Sequence, residues 1–458
     1  MKICIIGQGY IGLPTAALFA NNDYDVLGVD RNQHIVDDLN QGKVHIEEPG
    51  IEKILQIAIS NHNYKASLSP KESDVFIITV PTPATENSLS CDLSNVFSAC
   101  KSILPYLKDN NIVIIESTIA PMSTDDYIKP IFEKEGWVIG KNLYLSHCPE
   151  RVLPGKIMDE LVNNDRIIGG ITPKCADKSA DIYKKFVKGN LIKTEAKTAE
   201  LSKCMENTFR DVNIALANEL AKICSEIGVN TLDVIEMANK HPRVNIHFPG
   251  PGVGGHCLAI DPYFIYSKAP ETAKLIKIAR DTNNSMPQFV VEKTQKLIKN
   301  TISKNNNNNN NNTNTNTNTN NINNINSSNN PNKVNSLNSP DNPTNHTIAI
   351  LGVTYKGNIG DTRESPAFEI IELLKSEGYN IKIHDPHVNN SDYLNFEEAI
   401  DDATICLVLT DHDEFKNLNY DLLISKMKIH LIFDTKNIVK NDRNDIEVVN
   451  YGNLYNYI

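Results

Sequence analysis

The chain has 458 residues, enough for two or three domains, and its 45 lysines and arginines against 56 aspartates and glutamates leave a formal charge of −11. That charge argues against nucleic acid or an anionic membrane surface as the main partner. No stretch approaches the ~18 apolar residues of a membrane span, and the opening MKICIIG is too short an apolar run for a signal peptide. The nine cysteines (4, 91, 100, 148, 175, 204, 224, 257 and 406) contain no CxxC pair. This predicts a cytoplasmic protein without a zinc or disulfide framework and with no metal site.

In chain order, KICIIG, YDVLGVD, DVFIITV and NIVIIES read as short buried strands, with helical periodicity between them. The alternation predicts a parallel sheet covered by helices on both faces, over residues 1–197. Gly7, Gly9 and Gly12 form a GxGxxG turn directly after the first strand, with Tyr10 and Ile11 inside it and a helix over Leu13–Ala20. Such a turn lets a pyrophosphate approach the backbone and the helix N-terminus. Asp30 ends the next strand, placed to accept hydrogen bonds from an adenosine ribose. An aspartate there repels a 2′-phosphate, so the expected cofactor is NAD, although Arg31 beside it could accommodate the phosphate of NADP. Thr82 in VPTP and Thr118 in EST follow the third and fourth of these strands, where ligands sit in such sheets. Cofactor contact and ordinary turn chemistry are equal alternatives for both.

From about Thr198 to Ile227 one long helix is predicted, with more helix through Met237 and from Glu271 to Lys299, giving a helical region over 198–300. Residues 301–346 are dominated by asparagine, with eight in a row at 305–312. Such a composition predicts a disordered insert acting as a linker. A second, smaller α/β domain follows at 347–458, in HTIAILGVTYKG, IKIHDP and ATICLVLT. The predicted architecture is thus two Rossmann-like open parallel-sheet domains joined by a central helical region with one long helix. Within the helical region, GPGVGGHCLAID surrounds Cys257 with glycines. Bare backbone around a thiol suits one that must meet a bulky substrate.

The motifs GQGYIGLP, VPTP, EST, CPERVLPG, AELSKCMENTFRDVNIALANE, HPRVNI, GPGVGGHC and GDTRESPA occur in the order seen in the UDP-glucose/GDP-mannose dehydrogenase family. The resemblance covers nearly the whole chain except the asparagine-rich insert. It implies an N-terminal domain that binds NAD, a C-terminal domain that binds the UDP part of a nucleotide sugar, and central helices that build a homodimer or higher homo-oligomer. It also implies oxidation of a sugar C6 alcohol to a carboxylate with two NAD and one water, without release of the aldehyde. An aldehyde does not readily give up a second hydride, whereas its tetrahedral thiol adduct does. Cys257 is accordingly the expected nucleophile, with the glycines clearing room for C6 and the nicotinamide.

The resemblance extends to individual residues. Lys203, Asn207 and Arg210 share one helix face at i, i+4 and i+7. Spacing alone reads as a solvated face, while the resemblance implies an acid/base lysine that stabilises an oxyanion, with Asn207 and Arg210 at the sugar. Asp261 matches an aspartate working with that lysine and a water, and Glu150 a glutamate near the water that cleaves the thioester. Arg151, Val152 and Gly254 are implied to line the substrate, His241 and Arg243 to touch it, with Arg243 reaching across the dimer. Tyr355, Lys356 and Arg363 are implied at the nucleotide half, where cations suit a diphosphate. His256 adjoins the thiol and is assigned no role.

One departure bears on the substrate. Ile260 stands where UDP-glucose dehydrogenases typically carry lysine before the aspartate. With CPERVLPG and FRDVN, this resembles the branch acting on N-acetylated hexosamines, and implies UDP-N-acetyl-D-mannosamine. UDP-N-acetylglucosamine and UDP-glucose are the near alternatives. More distant ones are a 2-hydroxy-acid dehydrogenase with a single hydride transfer, and a dinucleotide-sensing module without turnover.

Overall fold

The computed structural model describes residues 1–85, 90–153, 155–313 and 342–457. The chain divides into two units. The first comprises Met1–Phe209 and Ile260–Lys277, the second Arg210–Ala259 and Ile278–Ile458. The helices of residues 198–300 are thus shared out between the units.

The first unit is built on β1 (Lys2–Ile6), β2 (Asp25–Val29), β3 (Tyr64–Ser67), β4 (Val75–Ile78), β5 (Asn111–Ile115), β6 (Leu143–His147), β7 (Arg166–Gly170) and β8 (Leu191–Glu195). Their order in the sheet is β3-β2-β1-β4-β5-β6-β7-β8. β4 and β5 are buried along their whole length, as expected of near-continuous Val/Ile strands covered on both faces. The direction of winding reverses between β1 and β4, and ligands bind at the carboxyl ends of strands at such a point. The purely parallel sheet expected from the sequence needs one correction. β6 and β7 pair antiparallel, Ser146 opposite Gly170 and His147 opposite Gly169. The chain between them includes the helix Ile157–Asn163.

The second unit carries β9 (Thr347–Leu351), β10 (Asn380–His384), β11 (Ile405–Val408), β12 (Leu431–Asp434) and β13 (Glu447–Asn450). These form one all-parallel sheet in the order β10-β9-β11-β12-β13, with its own reversal between β9 and β11. Its core takes Ala221 from the long helix and Met286, Val290, Val291, Leu297 and Ile298 from a later one.

The long helix runs Ala196–Ile227, close to its predicted span. The helix predicted over 271–299 is two, Lys274–Asn284 and Met286–Thr313. Pro287 stands in the first turn of the second, where its missing N–H costs nothing. That helix continues through Thr313, into asparagines whose composition predicted disorder. Extending a nucleated helix gains one hydrogen bond per residue, so a poor helix former can follow a packed one. Residues 314–341 of the expected insert lie outside the described residues. Among the described residues no helix is long and apolar enough to cross a membrane.

In the second unit the helices are tied together by buried polar groups. Arg280 Nη1 meets Asp211 Oδ1 at 2.5 Å, with both side chains almost fully buried. Asn283 Nδ2 donates to the same carboxylate oxygen, Asn218 Nδ2 donates to Asn283 Oδ1, and the Gly250 N–H donates to Asn218 Oδ1. Tyr451 closes the series by donating its hydroxyl to the Gly250 carbonyl. Burial pushes Asp211 up, and Arg280 is its main opposing influence. Replacing Arg280 by leucine leaves that carboxylate buried without its cation, so we expect a loss of about 3–5 kcal/mol in urea unfolding at pH 7. An unshifted urea midpoint would show that the pair contributes nothing.

Candidate functional site

In the first unit, the turn after β1 has the form the glycines predicted. Gly7 takes φ +96, and a Cβ there would lie 2.8 Å from the Thr79 carbonyl oxygen. A Cβ on Gly12 would overlap the Gly7 carbonyl, so Gly12 lets the helix Gly12–Ala20 close on the strand. Gly9 faces open space, with nothing within 4 Å of a built Cβ, and Tyr10 beside it is exposed while Ile11 is half-buried. Asp30 is half-buried and accepts N–H bonds from Gln8 (3.1 Å) and Asn32 (3.0 Å). Thr82 donates its hydroxyl to the Thr118 carbonyl at 2.5 Å, which stitches together the loops after β4 and β5.

On the long helix, Asn207 is buried, Lys203 half-buried and Arg210 exposed, although the three share a face. Asn207 Nδ2 donates to Asp261 Oδ2 at 2.7 Å. Asp261 opens the helix Asp261–Lys268 and is 2 % exposed. Burial lifts it to about 6, against the opposing charge of Lys203 and the Asn207 hydrogen bond. The structure therefore brings Lys203, Asn207 and Asp261 into one cluster. Such a carboxylate gains and loses a proton near neutral pH.

Glu150 uses both oxygens. Oε2 pairs with Arg166 Nη1 at 2.9 Å and Oε1 accepts the Arg151 N–H at 2.7 Å. Arg166 also binds Glu116, which is fully enclosed and takes a further hydrogen bond from Tyr183 (2.6 Å). Arg151 extends to Glu206 at 2.7 Å, and Val152 packs against the main core of the first unit.

The second unit carries the remaining residues. Cys257 is half-buried in the turn before Ile260. The glycines around it also allow other segments of the unit to approach closely. A Cβ on Gly252 would lie 2.8 Å from Pro366, one on Gly254 would run into the Glu364 carbonyl and Tyr355, and one on Gly255 (φ +85) would lie 3.0 Å from the Tyr355 ring. They let the thiol's segment lie against Tyr355 and the strip Glu364–Pro366, two of the other motifs. Gly255 also donates its N–H to the Arg363 carbonyl. The guanidinium of Arg363 is exposed and paired with Asp361, and Lys356 is exposed. His241 and Arg243 lie exposed in one loop, where the Arg243 N–H reaches His241 Nδ1 at 3.4 Å.

The sequence matches the UDP-glucose/GDP-mannose dehydrogenase family in three segments: the NAD binding domain over residues 1–187, the central domain over 197–285 and the UDP binding domain over 349–441. A UDP-N-acetyl-D-mannosamine dehydrogenase of Methanococcus maripaludis is 46% identical over 449 residues, 96% of this chain and 94% of the relative. The chain belongs to the UDP-glucose/GDP-mannose dehydrogenase family. An NDP-N-acetyl-D-galactosaminuronic acid dehydrogenase of Ralstonia nicotianae is 39% identical, covering 93% of this chain and 94% of its own. The solved UDP-N-acetyl-mannosamine dehydrogenase of Staphylococcus aureus superposes with a TM-score of 0.84 at 48% identity, over 100% of both chains.

The chain is an NAD-dependent UDP-sugar dehydrogenase of this family. Its first turn fits the cofactor on structural grounds, because the open backbone at Gly9 and the half-buried Asp30 leave the pyrophosphate and ribose positions accessible.

Two buried groups beside the cluster escaped the sequence reading. His147, at the end of β6, is held neutral by burial and by the charge of Lys203, with its pKa down to about 3. Glu200 caps the turn at Thr124, taking that residue's N–H at 2.8 Å and its hydroxyl at 2.5 Å, and burial lifts its pKa to about 7. No local spacing marks either residue, because their partners lie far along the chain. Glu200 has a consequence for stability. In the unfolded chain a glutamate titrates near about 4.3. The folded chain therefore holds an extra proton between about 4.3 and about 7, and Glu200 contributes stability that is lost as the pH rises through this window. We expect the melting temperature to fall between pH 5 and 7.5, and to fall less steeply in Glu200→Gln. Parallel pH profiles for the two proteins would rule this out.

Proposed function

We propose that the chain oxidises the C6 hydroxyl of UDP-N-acetyl-D-mannosamine to the carboxylate of UDP-N-acetyl-D-mannosaminuronate. The observation that carries this reading is the match, over nearly the whole length, to relatives named for that substrate. Ile260 in place of lysine supports an N-acetylated sugar. The Ralstonia relative makes other N-acetylated hexosamines the competing substrates to test.

Two molecules of NAD, held in succession at the first turn, would each accept one of the two hydrides. In this reading Lys203 receives the C6 hydroxyl proton and stabilises the oxyanion that forms there. Asp261, with Asn207 on its carboxylate, passes the proton on to water. The thiol of Cys257 adds to the aldehyde carbon and forms a thiohemiacetal, which still carries the C–H bond that the second oxidation needs. The resulting thioester is cleaved by water: a C–O bond forms, the C–S bond breaks, and the thiol is restored. Glu150 is held as an acceptor by Arg166 and the Arg151 N–H, an arrangement suited to orienting that water. Tyr355, Lys356 and Arg363 bind the UDP part, with Arg151, Val152, Arg210, Gly254, His241 and Arg243 on the sugar side.

The same reading includes a homodimer through the long helix. Leu201, Met205, Phe209, Leu216, Ile223 and Ile227 are all exposed, from 42% to 66%. At 100° per residue they fall within roughly an 80° arc, a stripe of the kind another helix covers. Paired Leu216→Glu and Ile223→Glu substitutions should convert a dimer to a monomer in sedimentation velocity. A wild-type chain that sediments as a monomer would end this part of the proposal.

A panel of UDP-hexoses, followed by NADH formation and product mass, tests the chemistry. We expect UDP-N-acetyl-D-mannosamine to turn over fastest, with two NADH per sugar. Cys257→Ala should lose carboxylate formation, and Lys203→Ala should lower turnover ~10²-fold or more with NAD binding kept. Faster turnover of UDP-glucose overturns the substrate. One NADH per sugar with free aldehyde, or wild-type rates in Cys257→Ala, overturns the covalent mechanism.

A further inference from the structure

Both sheets use the same device at the end of their first strand. In the first unit, the residue after Gly7 donates its N–H to Asp30, just beyond β2. In the second, Gly352 follows β9 with φ +88, and the next residue, Val353, donates its N–H to Asp385 Oδ2 at 2.7 Å, just beyond β10. Asp30 and Asp385 therefore hold the same topological position, but Asp385 is only 6 % exposed and is closed over by His412.

The surroundings of His412 fix which nitrogen carries the proton. Nδ1 lies 2.9 Å from the Asn358 N–H, so Nδ1 is the acceptor. Nε2 lies 3.2 Å from Asp385 Oδ2 and 3.2 Å from Thr354 Oγ1, so Nε2–H donates. Thr354 in turn donates its hydroxyl to the Lys356 carbonyl and accepts the Thr410 hydroxyl at its own carbonyl. Asp411 Oδ1 takes the Gly357 N–H, and Asn358 and Asp413 exchange two hydrogen bonds. The imidazole is fully buried, stacked on His387 at 4.6 Å and edge-on to Phe415 at 5.4 Å. His387, His412 and Glu414 also approach one another as metal ligands would. With Nδ1 and Nε2 of His412 both engaged, the contacts favour a loop clamp over a metal site.

The segment so tied is Val353–Asn358, which contains Tyr355 and Lys356. We infer that His412 and Asp385 are a positioning pair that holds this loop ready for the nucleotide half of the substrate. The inference rests on the reading that Tyr355 and Lys356 meet that nucleotide. Neither member of the pair needs to touch UDP. The carboxylate that reads a ribose in a dinucleotide fold is here used internally, to orient an imidazole that fixes the neighbouring loop.

The test is UDP binding by calorimetry, together with steady-state kinetics on the intact enzyme. His412→Phe keeps the stacking and removes both polar contacts. It should weaken UDP binding and raise the KM for the UDP-sugar by roughly 10-fold or more, with kcat at saturating sugar and the KM for NAD within about twofold. His412→Asn, which restores an acceptor near the Asn358 N–H, should recover part of the loss. Unchanged UDP affinity in His412→Phe, or an equal loss of NAD binding, overturns the inference. Should that variant fail to fold, Asp385→Asn carries the same expectation of weaker UDP binding, and unchanged affinity there overturns it. Lys356→Ala separates the two levels. If it leaves UDP affinity intact, the nucleotide reading of the loop falls. If it weakens UDP binding while His412→Phe does not, only the positioning role falls.

Discussion

A carboxylate remains inside a protein only when a cation, a proton or a set of N–H groups stays with it. The buried acids of this chain meet that constraint in different ways. Asp211 is given Arg280. Glu116 shares Arg166 with Glu150. Glu200 keeps its proton to about neutral pH while capping a helical turn. Asp261 lies between these cases, lifted to about 6, with Lys203 and Asn207 as its company. The placement of the catalytic candidates follows from these choices. The Asp211 network reaches Gly250, where the thiol's segment begins, and the Arg166 pair aims Glu150.

The two sheets put one piece of backbone geometry to different uses. Each has a glycine of positive φ after its first strand, and each has an aspartate after its second that receives the next N–H. In the first unit the aspartate stays accessible, as a dinucleotide requires. In the second it is covered, and the residues beyond the glycine are held by His412. A fold can thus keep its frame while moving its binding groups from the strand end to the adjacent loop.

How much of this was legible in the sequence follows from how local each feature is. The Gly7–Gly12 turn, Asp30 and the Val/Ile strands announce themselves because their constraints act between near neighbours. The grouping of Lys203 with Asn207 needed only helical spacing, although spacing alone left it as a surface face. Asp261 joined them through the family resemblance, and the structure supplies its contact with Asn207. The glycines near Cys257 show by composition that space is needed there, but not which protein segments share it. Tyr355 and Pro366 share it, about a hundred residues further on. Arg166, Glu200, His147 and His412 carried no signal, since each owes its role to partners remote in the chain. The reversal of β7 was invisible for the same reason: alternation of strand and helix does not report direction.

That reversal has an electrical consequence. A strand parallel to β6 would present its first residue at the far edge of the sheet, away from ligands. Because β7 runs backwards, its first residue, Arg166, arrives beyond the end of β6, beside Glu150 and beneath Glu116. The pairing of Ser146 with Gly170 and His147 with Gly169 therefore determines the charge of this rim. A slip by one residue would turn the guanidinium to the opposite face of the sheet and leave two acids facing each other without their common counter-ion.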